Sequence, residues 1–225
     1  MASYPKLFFM PTHRHLLFFI LLLAGSGRAF GQKPFAEGTI VYKVKLVTPG
    51  QKDIVGSYIF EIKGTQVKKE LKLSNGYQDV VLINCTAGTV YSLQTSNNRK
   101  YAIQLKMDNL VQRQDAFAHF NVKNEVLNVK NIAGFDSCKG DVVYRDGTQA
   151  ETYYTKDWYP AQSITYERYP DAKFLPLYFF YKDEQGISME FEAKKIEPMP
   201  IPDAVFRIPS DYKMISYEEY KQLSK

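Results

Sequence analysis

The sequence predicts an α+β fold that is rich in β-structure. Apolar and polar residues alternate with a period of two over most of the 225-residue chain, which is typical of half-buried strands. Short polar turns separate these stretches, and the alternation lapses over a longer window at 107–120. The 17 tyrosines and 15 phenylalanines also fit strands, because aromatic side chains pack well on a pleated surface.

The first predicted strands follow one another as hairpins. In TIVYKVKLV (39–47), the apolar residues fall on one face and the two lysines on the other. The tripeptide at 63–65, Lys-Gly-Thr, predicts a tight turn between the next two strands. Strands that start every 10–14 residues or so predict an antiparallel meander. The remaining strands before the lapse are SYIFEIKG, TQVKKELKL, QDVVLINC, GTVYSLQT and RKYAIQLK.

The lapse at 107–120 predicts an amphipathic helix that crosses one face of the sheet. The segment 163–176 is ambiguous and could hold a short helix. Four prolines between 198 and 209 predict an extended tail along the body of the domain, and ISYEEYKQL (215–223) predicts a final helical turn. The strands that resume after the lapse are EVLNVKNI, KGDVVYR, AETYYTKDWY, PLYFFYKD and ISMEFEAKKIE.

Residues 1–31 have the layout of a secretory signal peptide, with basic residues, an apolar run and then small residues. The apolar run is shorter than the roughly 18–20 residues of a spanning helix, although a retained signal anchor is the alternative. AFG (29–31) predicts cleavage before Gln32, which leaves 32–225 as a single domain; cleavage as early as Ser26 stays open. LAGS (23–26) resembles a bacterial lipobox, but Ser26 stands where the lipidated cysteine must be. We therefore expect an exported protein, periplasmic or secreted, that is not a lipoprotein.

The mature chain has little net charge and few catalytic groups. Without the predicted signal peptide it has 26 basic and 24 acidic residues, too close a balance to indicate nucleic acid as a partner. One histidine, His119, remains, and a packed or surface position suits it better than the role of a general base. The sequence therefore predicts no catalytic residue, no cofactor and no metal site. A hydrolase that uses scattered acids is the alternative.

Cys85 and Cys138 are the two cysteines of the chain. A reactive thiol needs a base or a positive field, and a zinc site usually needs four ligands. Exported proteins with two cysteines more often pair them, so we expect a Cys85–Cys138 disulfide, with two separate unreactive thiols as the alternative. IAGFDSCKG (132–140) is then a structural corner with glycines at its bends.

Aromatic residues are dense in YYTKDWYP and LPLYFFYKD. They could line a concave apolar pocket, and ordinary sheet core explains them equally well. The lysines at 43, 45, 63, 68, 69 and 72 predict a solvated outer face, with a basic binding face as the alternative. The candidate pocket-lining residues are Tyr153, Trp158, Tyr178, Phe180, Leu110 and Phe117.

Four landmarks occur in order along the chain, namely EGTIVYKVKL, NIAGFDSCKG, YTKDWYP and PIPDAVFRIPSDYK. Together they resemble a family of exported envelope proteins, typical of Bacteroidota, that is similar to the LolA/LolB lipoprotein carriers. The resemblance covers residues 37–212 and implies an antiparallel half-open β-barrel, LolA-like, with one to three short covering helices. The segments 107–120 and 163–175 would be candidates for its lid. No ligand-gating residue of the carriers matches a position here, so the resemblance implies no site residue.

We expect a non-enzymatic exported protein that holds a lipid, an acyl chain, a lipoprotein or another hydrophobic ligand in a concave β-sheet cavity. The alternative is a structural or interaction module with a filled barrel and a protein partner in the envelope. A large apolar cavity favours the first hypothesis, and a packed interior with an exposed apolar patch favours the second. A hydrolase would need clustered acids with perturbed pKa values. The sequence leaves the oligomeric state open.

Overall fold

A computed structural model describes residues 31–96, 98–182 and 186–223. Gln32–Lys225 forms one compact unit. The predicted signal peptide lies outside the described residues except for Gly31. Among the described helices, none is long and apolar enough to cross a bilayer.

Strands make up most of the described ranges. Two α-helices are present there, α1 (Met107–Asp115) and α2 (Tyr217–Leu223), with two short 3-10 helices at Ser163–Thr165 and Asp203–Phe206. The strands are β1 (Lys33–Phe35), β2 (Glu37–Val47), β3 (Ile54–Lys63), β4 (Gln66–Leu73), β5 (Gln78–Asn84), β6 (Thr89–Ser96), β7 (Arg99–Lys106), β8 (Asn121–Ile132), β9 (Phe135–Val143), β10 (Gln149–Thr155), β11 (Trp158–Pro160), β12 (Leu175–Lys182), β13 (Ser188–Glu197) and β14 (Lys213–Ser216).

Twelve of the described strands form one sheet in the order β14-β7-β6-β5-β4-β3-β2-β13-β12-β10-β9-β8. Its neighbours pair antiparallel, except that β14 runs parallel to β7. The strands β1 and β11 form a separate parallel pair. Because β14 and β8 stand at opposite ends of the strand order, the sheet is not closed. The predicted β-rich α+β class, with a half-open antiparallel sheet and short helices, is confirmed.

Two meanders meet at the centre of this sheet. Strands β2 to β7 are neighbours in sequence order, and so are β8, β9, β10, β12 and β13. The two meanders join where β2 pairs with β13, and Val44 lies opposite Phe191 there. The sheet is therefore built from local hairpins and one long-range pairing at its centre.

The two faces of the sheet are covered by different parts of the chain. We call residues 163–174 the plug segment. The inner face is the face of the sheet that α1 and the plug segment cover. The proline-rich tail covers part of the outer face, where Ile208 packs on a hydrophobic cluster. Ion pairs hold the tail at two points, Lys63 Nζ to Asp203 Oδ1 at 2.6 Å and Lys100 Nζ to Asp211 Oδ2 at 2.7 Å. The buried residues beneath the tail are Val80, Leu82, Leu93 and Ala102.

The structure differs from the sequence-based prediction mainly in short elements. The helix α1 ends at Asp115, and turns follow it up to the start of β8. The strands β1, β11 and β14 have only three or four residues each, too few for a period of two to be recognised. Strand β8 is irregular, because Asn124 and Asn128 have φ values of 52° and 53° and its register shifts at each of them.

Candidate functional site

Aromatic side chains fill the interior between the plug segment and the centre of the sheet. Tyr166 of the plug segment packs edge-on against Phe60 of β3, with ring centroids 5.2 Å apart. Tyr169 packs in the same way against Phe179 of β12 at 5.7 Å. Tyr42 of β2 is completely buried among them. This part of the inner face is a packed aromatic core.

Two polar side chains fix the start of the plug segment. Gln114 of α1 donates from Nε2 to the backbone carbonyls of Ser163 at 2.8 Å and Tyr166 at 3.2 Å. Lys69 of β4 donates from Nζ to the carbonyl of Ile164 at 2.7 Å. The helix and the sheet therefore hold the same short turn, and its carbonyls are satisfied away from solvent.

An open cavity of about 1000 Å³ lies over β6 and β7, between α1 and α2. Ile103 and Leu105 of β7 form its apolar floor, Leu110 of α1 closes one side and Tyr220 of α2 the other. Arg113 adds a cationic group to the wall on the α1 side. Ligand sites in proteins are commonly clefts of about 300–1,000 Å³, so this cavity has the size of one. Its walls also include charged residues, among them Lys106, Asp108 and Glu218.

A second, inner cavity of about 180 Å³ lies beneath α1 and the plug segment. Leu105, Leu110 and Arg113 line both cavities, so the two adjoin. Four charged side chains reach the inner cavity from four elements, Lys69 from β4, Asp79 from β5, Arg113 from α1 and Glu167 from the plug segment.

Burial perturbs the two charged groups that the sheet contributes. It lowers the pKa of Lys69 from 10.5 to about 8, although the negative charge of Glu167 acts in the opposite direction. It also raises the pKa of Asp79 above its usual value, although Gln94 donates a hydrogen bond of 2.9 Å from Nε2 to Asp79 Oδ1. At both positions the surroundings disfavour the charged form.

The expectation that the early lysines form a solvated outer face is wrong for Lys69. In QVKKELKL, Lys69 is in phase with the inward-facing Val67, so the strand turns it towards the plug segment. Lys68 and Lys72 turn outwards instead, and both form ion pairs with Glu70. The phase of the alternation is a signal that identifies Lys69 from sequence. No comparable sequence pattern predicts that α1 and the plug segment line this cavity, because only the tertiary fold places them next to it.

Of the six predicted pocket residues, Leu110 lines both cavities. Phe117 lies after α1 and packs edge-on against Tyr144, with ring centroids 5.4 Å apart. Trp158 of β11 packs against Phe35 of β1 at 5.7 Å. Phe117 and Trp158 therefore pack neighbouring segments together and line neither of the two cavities.

The other three predicted pocket residues, Tyr153, Tyr178 and Phe180, lie on the outer face. Tyr153 and Tyr178 are cross-strand neighbours with ring centroids 5.8 Å apart. Lys130 Nζ lies 4.0 Å from the Tyr153 ring centroid. The structure places these three outside the inner face because strand alternation gives the inward positions to their neighbours, such as Phe179.

Cys85 and Cys138 are free thiols, so the expected disulfide does not form. Cys85 follows β5 and Cys138 lies within β9, with β4, β3, β2, β13, β12 and β10 between those two strands in the sheet. Burial raises the pKa of both thiols, which favours the unreactive protonated form. Within the described ranges, no group of three or more His, Cys, Asp or Glu side chains could hold a metal ion.

No protein-family model matches the chain, and no curated protein matches it. Among solved structures, the chain is similar to the crystal structure of a LolA superfamily protein from Nitrosomonas europaea. The TM-score is 0.42 at 10% sequence identity, and the match covers 79% of this chain and 93% of that chain. Similarity at this level assigns no ligand, partner or activity.

Proposed function

We propose that the chain is a non-enzymatic binding protein that holds a lipid, an acyl chain or another hydrophobic ligand in the open cavity between α1 and α2. The observation that carries this proposal is the cavity itself, about 1000 Å³ with an apolar floor of Ile103 and Leu105. Burial of apolar surface is sufficient for such binding, because each buried methylene contributes about 0.8 kcal/mol. The ligand therefore needs no covalent step to be retained.

We also propose a location and a family resemblance for the protein, both from its sequence. The protein acts after export, in the periplasm or outside the cell, and resembles envelope proteins related to the LolA/LolB carriers. The acyl chains of a lipoprotein are therefore among the candidate ligands. The layout of residues 1–31 and the order of the four sequence landmarks support this part of the proposal.

A protein-interaction module is the second candidate, and two observations favour it. The interior around Tyr42 and Phe60 is filled, which leaves less room for a ligand than an empty half-barrel offers. On the edge strand β8, Val126 and Leu127 are 55% and 59% exposed. Exposed apolar side chains on a sheet edge suit contact with another protein better than contact with water.

Native mass spectrometry of the exported protein, purified without detergent, distinguishes the two candidates. Ligand binding predicts an added mass that is lost on denaturation and extracts as lipid. A chain of unmodified mass that also fails to bind a neutral apolar dye, N-phenylnaphthylamine, contradicts the proposal and favours the interaction module. The same spectrum gives the mature N-terminus, which we expect at Gln32.

A pair of variants on α1 tests whether the open cavity is the site. Leu110→Glu replaces an apolar side chain of the cavity wall by a carboxylate, so we expect dye affinity to fall at least tenfold. Val111→Glu is the matched control, because Val111 lies on the same helix and is 47% exposed. Equal dye binding by the two variants, with both still folded, would show that the ligand does not occupy this cavity.

A further inference from the structure

The inner cavity contains charged side chains of both signs, and the negative charge of Glu167 stabilises the charged form of Lys69. Within the described residues, Lys69, Asp79, Arg113 and Glu167 form no ion pair with each other or with any other group. Lys69 bonds to a backbone carbonyl and Asp79 to an amide, and both of these partners are uncharged. The cavity therefore presents two cationic and two anionic groups, each available to a charged ligand group.

Lys69 and Asp79 lie on neighbouring strands of the sheet, so a ligand that binds one of them also lies near the other. Both lie half-buried on neighbouring strands, and on this face β4 and β5 place Lys69 opposite Val81 and Asp79 opposite Leu71. Burial disfavours the charged form of each side chain, and a ligand charge of opposite sign would stabilise that form. An anion alone would satisfy Lys69 but lie next to Asp79, and a cation alone would do the reverse.

The two cavities together fit a ligand with a compact head and an apolar chain. At about 30 Å³ per water molecule, the inner cavity of about 180 Å³ holds a small head group but not a long chain. The adjoining cavity of about 1000 Å³ has the apolar floor that a chain needs. Leu105 and Leu110 line both cavities, so the polar end and the apolar end of one molecule can occupy them together.

We propose that the ligand is a zwitterionic amphiphile, whose anionic group lies against Lys69 and Arg113 and whose ammonium group lies against Asp79 and Glu167. This inference rests on the proposed function, because it names the ligand class of the same site. Charge-assisted hydrogen bonds to both ends of the head fix its orientation, while the chain contributes apolar contact. The site then discriminates by head group, which a purely apolar cavity cannot do.

Amphiphiles that share one chain and differ only in the head test this inference. The probes are myristoyl lysophosphatidylethanolamine, which is zwitterionic, the anionic lysophosphatidylglycerol and the neutral monoacylglycerol, all titrated below their micelle concentrations. Free glycerophosphoethanolamine supplies the head without the chain. We expect the zwitterionic amphiphile to bind at least tenfold more tightly than the other two, measured by calorimetry and native mass spectrometry.

Single substitutions test which charged side chains discriminate between the head groups. Lys69→Met and Asp79→Asn should each reduce the preference for the zwitterionic head at least tenfold, since each removes one charge from the inner cavity. Lys72→Met removes a lysine from the outer side of the same strand and should leave the preference unchanged. Should Lys69→Met fail to fold, Arg113→Gln tests the same anionic contact from an exposed position on α1.

The outcomes separate this inference from the proposed function. Equal affinity for all three amphiphiles overturns head-group recognition and leaves hydrophobic binding intact. Tight binding of the free head with no contribution from the chain supports the zwitterion site but contradicts the hydrophobic part of the function. Binding of no probe, together with an unmodified mass, overturns both.

Discussion

The hydroxyl groups of Tyr42 and Tyr166, which are 124 residues apart in the sequence, share a hydrogen bond of 2.5 Å in the core. Tyr42 also donates to the backbone carbonyl of Pro176 at 2.8 Å. Because a phenol has one proton to donate, Tyr166 must be the donor in the bond between the two hydroxyls. This short chain of hydrogen bonds links the plug segment to β2 and to the start of β12.

Removal of either hydroxyl should therefore have unequal effects. Tyr166→Phe removes one donor, and we expect the free energy of unfolding to fall by about 1 kcal/mol. Tyr42→Phe leaves both the Pro176 carbonyl and the Tyr166 hydroxyl without their partner, so we expect a loss of about 2–3 kcal/mol. Urea unfolding of both variants measures the difference. Equal losses would contradict the assigned donor direction.

Gln114 should be the residue that holds α1 to the plug segment. Gln114→Leu keeps the side-chain volume but removes both hydrogen bonds to the carbonyls of Ser163 and Tyr166, so we expect a loss of about 2 kcal/mol. Amide exchange in the plug segment should accelerate at the same time. Gln112→Leu is the matched control, because Gln112 is exposed on the same helix. Unchanged exchange in Gln114→Leu would contradict the role of this contact.

The lowered pKa of Lys69 should be visible in the pH dependence of stability. Below about pH 8 Lys69 is charged in both the folded and the unfolded chain, and between pH 8 and 10.5 the unfolded chain binds more protons. The free energy of unfolding should therefore rise with pH across this window. Tyrosines whose pKa is raised above 10.0, such as Tyr166, oppose this rise only above pH 10.

Comparison with Lys69→Met isolates this effect. The stability of the wild-type protein relative to Lys69→Met should increase from pH 8 to pH 10, as measured by urea unfolding at each pH. Lys72→Met is the control for loss of a lysine from the same strand, since Lys72 is exposed and lies outside the inner face. A flat difference for Lys69→Met would show that this lysine is not desolvated.

The two cysteines should behave as independent, slowly reacting thiols. We expect both to react with a thiol reagent in the unfolded protein without prior reduction, and Cys138 to react last in the folded protein because it is 7% exposed. Cys85→Ser should then lower stability far less than the roughly 4 kcal/mol that a disulfide closing such a loop contributes. A mass increase of two hydrogens on reduction would contradict the free thiols.

Much of the fold could be predicted because the period-two pattern is local. The alternation of TIVYKVKLV or RKYAIQLK depends only on adjacent residues, and each forms a strand, β2 and β7. The central pairing of β2 with β13 has no such local signal, because the register of Val44 against Phe191 is set by the long-range packing of both meanders. The same limit applies to the tail, whose course was predictable from its prolines but whose ion pairs were not.

The candidate site was harder to predict than the fold. Leu110 could be identified because it lies on the apolar side of an amphipathic helix, and Lys69 could have been identified from its phase in β4. The aromatic residues Tyr153 and Tyr178 have the composition of a pocket, but composition does not say which face of a strand points inwards. Exported proteins often pair two cysteines, and that tendency says nothing about the distance between two particular strands.

The pairing of β2 with β13 has a consequence for the order in which the protein can fold. The hairpins of each meander need only nearby residues, whereas β2 obtains its second neighbour from a strand that begins at Ser188. During synthesis, the backbone groups on one side of β2 therefore stay unpaired until nearly the whole chain is available. Contacts of such long sequence separation slow folding, and an unpaired edge invites association with other chains. Fragments that end before β13 should aggregate, and closure of this central pairing should limit the folding rate.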